Sequence, residues 1–131
     1  MQEIGVPTHD RVEFVDITAE VARALRAEGV SEGICHIFVP HTTAGLTINE
    51  NADPDVVRDV TTILERLVPQ NGGYRHVEGN SDAHAKASLV GCSLTVPVSG
   101  GRPVLGTWQA IYFCEFDGPR RRRCIVTAIP K

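Results

Sequence analysis

The periodicity of apolar residues along the chain predicts two helices, and the cap residue Ser81 indicates a third, short one. Val21, Ala22 and Leu25 share one face of segment 19–28, and Gly29 follows as a common helix stop. A second segment repeats valine, isoleucine and leucine at spacings of one, three and four residues, with charged residues on its other face. The predicted helices are 19–28 behind the N-cap Thr18, the segment from Pro54 to Leu67 behind the N-cap Asp53, and 82–90 behind the N-cap Ser81.

Other segments are rich in β-branched and aromatic residues or alternate between apolar and polar positions, which predicts strands. The sequence Asp117-Gly118 between the last two apolar runs is a hairpin signal, so the C-terminal half is predicted to be an antiparallel meander. The fold class is therefore α+β, a compact single domain over 1–131 with a largely antiparallel sheet and two to three helices. The predicted strands are 11–18, 33–40, 44–49, 93–98, 104–116 and 122–129.

Composition narrows the class of protein. The 131 residues are the usual size of one domain, and 42% hydrophobic with 22% charged residues is ordinary for a globular protein. A net charge of −3 argues against a nucleic-acid binder. No apolar run approaches the ~20 residues of a membrane span, and the N-terminus does not look like a signal peptide. Four dispersed cysteines are expected to be reduced, which predicts a cytoplasmic protein.

Three of the five histidines stand in a context that favours chemistry. His41 follows a predicted strand and Pro40, so a stiff backbone presents it at a strand end. His76 and His84 lie in a short polar segment with other hydrogen-bonding side chains. Imidazoles grouped in this way serve as general acid and base or as metal ligands. The spacing matches no standard zinc motif, so both interpretations stay open.

Oxygen-bearing side chains next to these histidines extend the candidate site. Asp82 joins His41, His76 and His84 as a predicted metal ligand, and the ion would be Zn²⁺ or Mg²⁺. Asn80, in the same segment, is a predicted substrate contact.

Two further polar groups are predicted to complete the site. Asn49 and Glu50 end a predicted strand and are candidate catalytic residues. Trp108, the single tryptophan, follows Gly106-Thr107, and with Gln109 it is a candidate substrate contact.

The basic run 120–123 opens the last predicted strand. Because side chains alternate along a strand, at most two of its arginines face one side. Arginine binds phosphate oxygens through paired hydrogen bonds, so Arg120 and Arg122 are predicted to contact a phosphate group. No glycine-rich phosphate loop is present.

In this combination the motifs resemble those of the YjbQ-like family, also called the secondary thiamine-phosphate synthase family. The resemblance covers nearly the whole chain. The matching motifs are His41-Thr42-Thr43-Ala44, Asn49-Glu50, Asp53-Pro54-Asp55, His76, Gly79-Asn80-Ser81-Asp82-Ala83-His84, Gly106-Thr107-Trp108-Gln109 and Glu115-Phe116-Asp117-Gly118-Pro119-Arg120.

The resemblance implies a small α+β homotrimer with an active site near a subunit interface, built on His41, His76 and His84. It also implies thiamine-phosphate synthase activity, at least as a side activity. In that reaction a hydroxymethylpyrimidine diphosphate joins a thiazole phosphate and pyrophosphate leaves. A metal ion or arginine would stabilise the departing pyrophosphate.

Three classes of function follow. The first is a metal-assisted transferase acting on a small phosphorylated molecule. The second is a non-catalytic trimer that binds a metal or metabolite, and the third is a metal-dependent hydrolase. None of the three involves nucleic acid or a membrane.

Overall fold

The computed structural model describes residues 1–131, which form eight strands and three helices. The three helices begin and end close to their predicted positions. In chain order the elements are β1 (Gln2–Pro7), β2 (Glu13–Asp16), α1 (Thr18–Glu28), β3 (Gly33–Phe38), β4 (Ala44–Glu50), α2 (Pro54–Leu67), α3 (Ser81–Val90), β5 (Ser93–Ser99), β6 (Arg102–Pro103), β7 (Gln109–Glu115) and β8 (Arg121–Pro130).

Local sequence explains the helix ends. Gly29 adopts a left-handed conformation with φ 70° after α1, which a residue with a side chain would enter at a cost. The Asp53 carboxylate accepts a hydrogen bond of 2.9 Å from the Asp55 N–H at the start of α2. Asn80 occupies the N-cap of α3, one residue before the predicted cap. No helix is long and apolar enough to cross a membrane.

The strands form two antiparallel sheets, which confirms the α+β class. The larger sheet has the order β1-β8-β3-β5-β6 and the smaller one β2-β7-β4. The predicted hairpin at Asp117-Gly118 is wrong, because β7 and β8 lie in different sheets and this connection carries the chain from one to the other. The first strand, β1, was not predicted, and residues 104–108, predicted as strand, lie outside both sheets.

The main core lies between the sheets. α1 contributes Val21 and Leu25 to it, and β7 contributes Ile111 and Phe113. The alternate residues of β7 pack on the opposite face of the small sheet, in a second cluster that α2 and α3 cover. Since β7 is buried on both faces, its sequence is a continuous apolar run rather than an alternating one. α3 thereby lies against the small sheet, with its N-terminus near the β7–β8 connection.

Candidate functional site

A polar cavity of about 440 Å³ opens where four parts of the chain meet. These are the β3–β4 turn, the segment after α2, the start of α3 and the β7–β8 connection with the start of β8. A smaller hollow of about 360 Å³ adjoins it and shares His41, Thr42 and His84. The residues that line the larger cavity are Pro40, His41, Thr42, Thr43, His76, Glu78, Asn80, His84, Asp117, Arg120 and Arg122.

The cavity brings together all three predicted histidines. The rings of His76 and His84 contact each other edge to face, with centroids 5.5 Å apart and an angle of 89° between their planes. Gly79, at φ 76°, allows the turn that reverses the chain between them. The Glu78 carboxylate lies 3.9 Å from His76 Nε2. Two imidazoles in contact beside a carboxylate suit the transfer of protons to and from a bound molecule.

His41 has a defined hydrogen bond at the cavity edge. Its Nε2 accepts the Arg123 N–H at 3.1 Å, so the neutral ring carries its proton on Nδ1. Burial lowers the pKa of His41 below its usual value, and the positive charges of Arg122 and Arg123 lower it further. His41 is therefore neutral near pH 7 and retains one N–H donor, at Nδ1.

A buried ion pair forms the floor of the cavity. Arg122 donates to both Glu115 oxygens, at 2.6 Å from Nη2 and 2.9 Å from Nε, and also to Thr43 Oγ1 at 2.7 Å. Its Nη1 donates a hydrogen bond to no atom of the protein. This nitrogen is not fully buried. Since Arg122 lines the cavity, Nη1 is the part of the guanidinium that a bound anion reaches.

Asp117 organises the opposite wall. Its Oδ2 accepts from Asn80 Nδ2 at 2.9 Å and from Arg120 Nη2 at 3.0 Å. Arg120 also donates from Nε to the Asp117 carbonyl, which leaves Nη1 without a partner on a half-exposed side chain. The Asn80 Oδ1 is buried and accepts no hydrogen bond, a state that costs about 1–3 kcal/mol unless a donor arrives.

A metal ion does not fit these residues as they stand. No group of three or more histidine, cysteine, aspartate or glutamate side chains is close enough to hold one ion. His41 Nε2 is engaged with Arg123. Asp82, predicted as a ligand, faces away and is ion-paired with Arg11 at 2.6 Å and Lys86 at 3.0 Å. The prediction for Asp82 is corrected because its position on α3 turns it towards these cations rather than towards His84.

Four predicted site residues lie elsewhere. Asn49 and Glu50 end β4, whereas the cavity is at its beginning, so about six strand residues or ~20 Å separate them. Gln109 pairs with Glu50 across the sheet and accepts the Gly106 N–H at 2.8 Å. The Trp108 side chain is exposed next to them. They form a separate polar end of the small sheet, because strand direction carries them away from the histidines.

Sequence reasoning missed other parts of the cavity. Asp117 was predicted to lie in a turn and Thr43 was named only within a family motif, and neither was given a role in the site. Glu115 had a detectable signal, since a carboxylate between Cys114 and Phe116 in an apolar run needs a cationic partner when it is buried.

Known proteins match this chain in sequence and in fold. A family model described as UPF0047 protein YjbQ-like matches residues 2–131. A UPF0047 protein of Methanocaldococcus jannaschii is 55% identical over 95% of this chain and 90% of its own length. UPF0047 protein YugU of Bacillus subtilis is 50% identical over 96% of each chain.

Solved structures agree with these sequence matches. A YjbQ/UPF0047 family protein of Clostridium acetobutylicum is 52% identical, with a TM-score of 0.96 over 98% of this chain and 100% of its own. A protein of Sulfolobus solfataricus is 34% identical, with a TM-score of 0.94 over 99% of this chain and 96% of its own. The latter is described as of unknown function, and the relatives are named only as UPF0047 proteins. The predicted thiamine-phosphate synthase activity is therefore wrong, whereas the family resemblance is confirmed.

Proposed function

The chain belongs to the YjbQ-like UPF0047 family, and we propose that it is an enzyme that cleaves a small phosphate ester by histidine acid–base catalysis. One observation carries the proposal. Three imidazoles and the unpartnered nitrogens of two arginines line a single polar cavity. The volume of about 440 Å³ suits a metabolite-sized molecule rather than a polymer.

The donors of the cavity support binding of a phosphate group. Arg120 Nη1 and Arg122 Nη1 are free, and the neutral His41 ring adds its Nδ1–H. Two carboxylates also line the cavity: Asp117 is ion-paired with Arg120, and the exposed Glu78 lies 3.9 Å from His76 Nε2. Asn80 Oδ1 offers an acceptor for a hydroxyl or amino group on the remainder of the molecule. The wall thus suits an ester that carries a phosphate at one end and a hydrogen-bond donor at the other.

His76 and His84 suit the two proton transfers of ester cleavage. One imidazole accepts a proton from the attacking water as the new oxygen–phosphorus bond forms. The other donates a proton to the leaving oxygen as the ester bond breaks, so the products are phosphate and an alcohol. Arg122, fixed by Glu115, stabilises the charge that develops on the phosphoryl oxygens. Every group in this scheme belongs to the chain itself.

Binding of inorganic phosphate tests the first half of the proposal. We expect phosphate to shift the ring-proton NMR signals of His41, His76 and His84. Substitution Arg120→Gln should weaken phosphate binding by about tenfold to a hundredfold, since a hydrogen bond to a charged group contributes about 1.5–3 kcal/mol.

The matched control for Arg120→Gln is Arg23→Gln. Arg23 is also exposed and also pairs with a carboxylate three residues away, but it lies on α1 outside the cavity. Equal phosphate affinity in the two variants, or no shift of any histidine signal, would contradict the proposal.

The outer face of the large sheet supports association of the chain with itself. Ile34, Phe38 and Ile129 are exposed on this face, and neither sheet nor helix covers them. A mainly apolar hollow of about 450 Å³, lined in part by Ile34, Pro97 and Ile129, opens there. A second copy of the chain would remove this apolar surface from water. We assign the face to the homotrimer that the sequence resemblance implies.

Light scattering after size-exclusion chromatography tests the assembly. The expected mass is three times the 14.2 kDa of one chain. Substitution Ile34→Lys should reduce it, because a buried charge opposes association, whereas Leu89→Lys on the exposed side of α3 should not. A monomeric mass for the unmodified protein would refute the assignment.

The state of the cysteines bears on location. All four are free, and burial raises the pKa of the Cys35 thiol to about 11 and that of Cys124 to about 12. Buried protonated thiols of this kind suit a reducing compartment, and we therefore place the protein in the cytoplasm.

A further inference from the structure

A second group of deeply buried charges lies on α3, on the side opposite the cavity. Lys86 and Asp82 are both 0% exposed. Lys86 Nζ contacts Glu65 Oε1 at 2.5 Å and Asp82 Oδ2 at 3.0 Å. Arg11 reaches the same Asp82 oxygen at 2.6 Å. We call these four residues the buried ionic network, in which Asp82 and Lys86 are fully buried and Arg11 and Glu65 are partly exposed.

The network joins three separate parts of the fold. Arg11 comes from the β1–β2 connection, Glu65 from α2, and Asp82 and Lys86 from α3. α2 has no fully buried residue. Neither α2 nor the β1–β2 connection contacts α3 through a large apolar side chain that is fully buried. The ionic contacts are therefore the strongest directional constraint between α3 and these neighbours.

The apolar residues of α3 do not set its rotation by themselves. The side chains that pack on the small sheet are Ala83, Ala87 and Val90, which are small and offer no interlocking shape. The one large apolar residue, Leu89, is 65% exposed. A helix that packs through alanines can turn about its axis at little cost, because few side-chain contacts change.

Helical geometry links the network to the cavity. Asp82 and Lys86 are four residues apart and share one face, whereas His84 lies about 200° around the axis from Asp82 at 3.6 residues per turn. Any rotation that moves Asp82 out of the network therefore turns His84 away from His76. Asn80, at the N-cap, would move from Asp117 at the same time.

We propose that Asp82 and Lys86 are positioning residues, and that the buried ionic network sets the rotation of α3 that places His84 and Asn80 in the cavity. A network of this kind often adds little net stability, since desolvation opposes its Coulomb energy, but its geometry is specific. The proposal rests on the proposed function only for its binding readout. Contact between the His76 and His84 rings tests it without any ligand.

The experiment compares the unmodified full chain with the double variant Asp82→Asn/Lys86→Met, which removes both charges and keeps the side-chain volumes. We expect the variant to melt cooperatively, to lose the ring-proton NOE between His76 and His84, and to bind inorganic phosphate at least tenfold more weakly. The matched control is Asp55→Asn/Arg58→Met, which removes an exposed ion pair on α2 and should change neither readout.

A folded double variant that keeps both the NOE and the phosphate affinity would overturn the proposal. If the double variant does not fold, Arg11→Met provides the test, because Arg11 is partly exposed and Asp82 keeps Lys86 as a partner. A smaller loss of both the His76–His84 NOE and the phosphate affinity in Arg11→Met supports the positioning role. If neither changes, the proposal is overturned. If the unmodified protein does not bind phosphate, the proposed function fails, while the NOE comparison still decides the role of the network.

Discussion

Replacement of Glu115 by glutamine is expected to lower the free energy of unfolding by about 3–5 kcal/mol, the range for breaking a buried ion pair. Arg122 is 5% exposed, so the substitution leaves its charge buried without a counter-charge. Thr8 Oγ1 also donates to Glu115, at 2.7 Å, and would lose a charged acceptor. Chemical denaturation measures the change.

The matched control is Glu3→Gln. Glu3 pairs with Arg123 at 2.9 Å, but both side chains are about half exposed. Exposed pairs contribute about 0–1 kcal/mol, so this variant should remain close to the unmodified protein. Similar losses for both variants would show that burial does not strengthen the Glu115–Arg122 pair.

The same carboxylate makes stability depend on pH. Burial alone would raise the pKa of Glu115, but the hydrogen bonds from Arg122 and Thr8 outweigh it and lower the pKa below the usual 4.5. The unfolded chain therefore binds a proton at higher pH than the folded one. The stabilisation is fully present above about pH 4.5 and is lost as pH falls through the lower folded value. The Glu115→Gln variant should lack this contribution to the pH dependence of the free energy of unfolding.

Replacement of His84 by asparagine is expected to lower kcat for phosphate-ester cleavage by about 10²–10⁴-fold, the usual contribution of a general acid or base. The assay uses p-nitrophenyl phosphate and a panel of small phosphate esters. The rate with the unmodified protein should follow a bell-shaped pH profile, and the variant should lose one limb of it. Asparagine keeps a polar side chain at a half-buried position, so the fold should persist.

His9→Asn is the control for this measurement. His9 is exposed, contacts only Glu13 and lies outside the cavity. Full turnover in folded His84→Asn would remove His84 from the chemistry, and failure of every ester to react would remove the proposed reaction itself. If no ester reacts, phosphate binding would still show whether the cavity binds phosphate without catalysis or does not bind phosphate at all.

Much of the cavity was predictable from the types of residue and their neighbours. The sequence predicted site residues of three kinds: a histidine at a strand end, paired histidines in a polar segment, and arginines at the start of a strand. The structure brings these residues together. The correctly grouped residues are His41, His76, His84, Asn80, Arg120 and Arg122.

Asn49, Glu50, Trp108 and Gln109 have equally suggestive sequences, yet they lie at the other end of the small sheet. Asp82 is next to Asn80 and Ser81 in sequence but faces a different partner, because each step along a helix turns the side chain by about 100°. A polar residue near a functional one in sequence is therefore not evidence of a shared site. The direction of the strand or the face of the helix determines which site a polar side chain joins.

The sequence by itself determined the helices, the Asp53 cap of α2, the Gly29 stop of α1 and the approximate location of most strands, because these depend on hydrogen bonds and apolar periodicity among near neighbours. It did not determine which strands pair. β7 and β8 follow each other through a turn signal but enter different sheets. The tertiary structure alone joined Thr8 to Glu115 across 107 residues, set Lys86 of α3 against Glu65 of α2 and placed three distant imidazoles around one cavity. Such contacts form only when burial of the whole core brings distant segments together, so no local pattern encodes them.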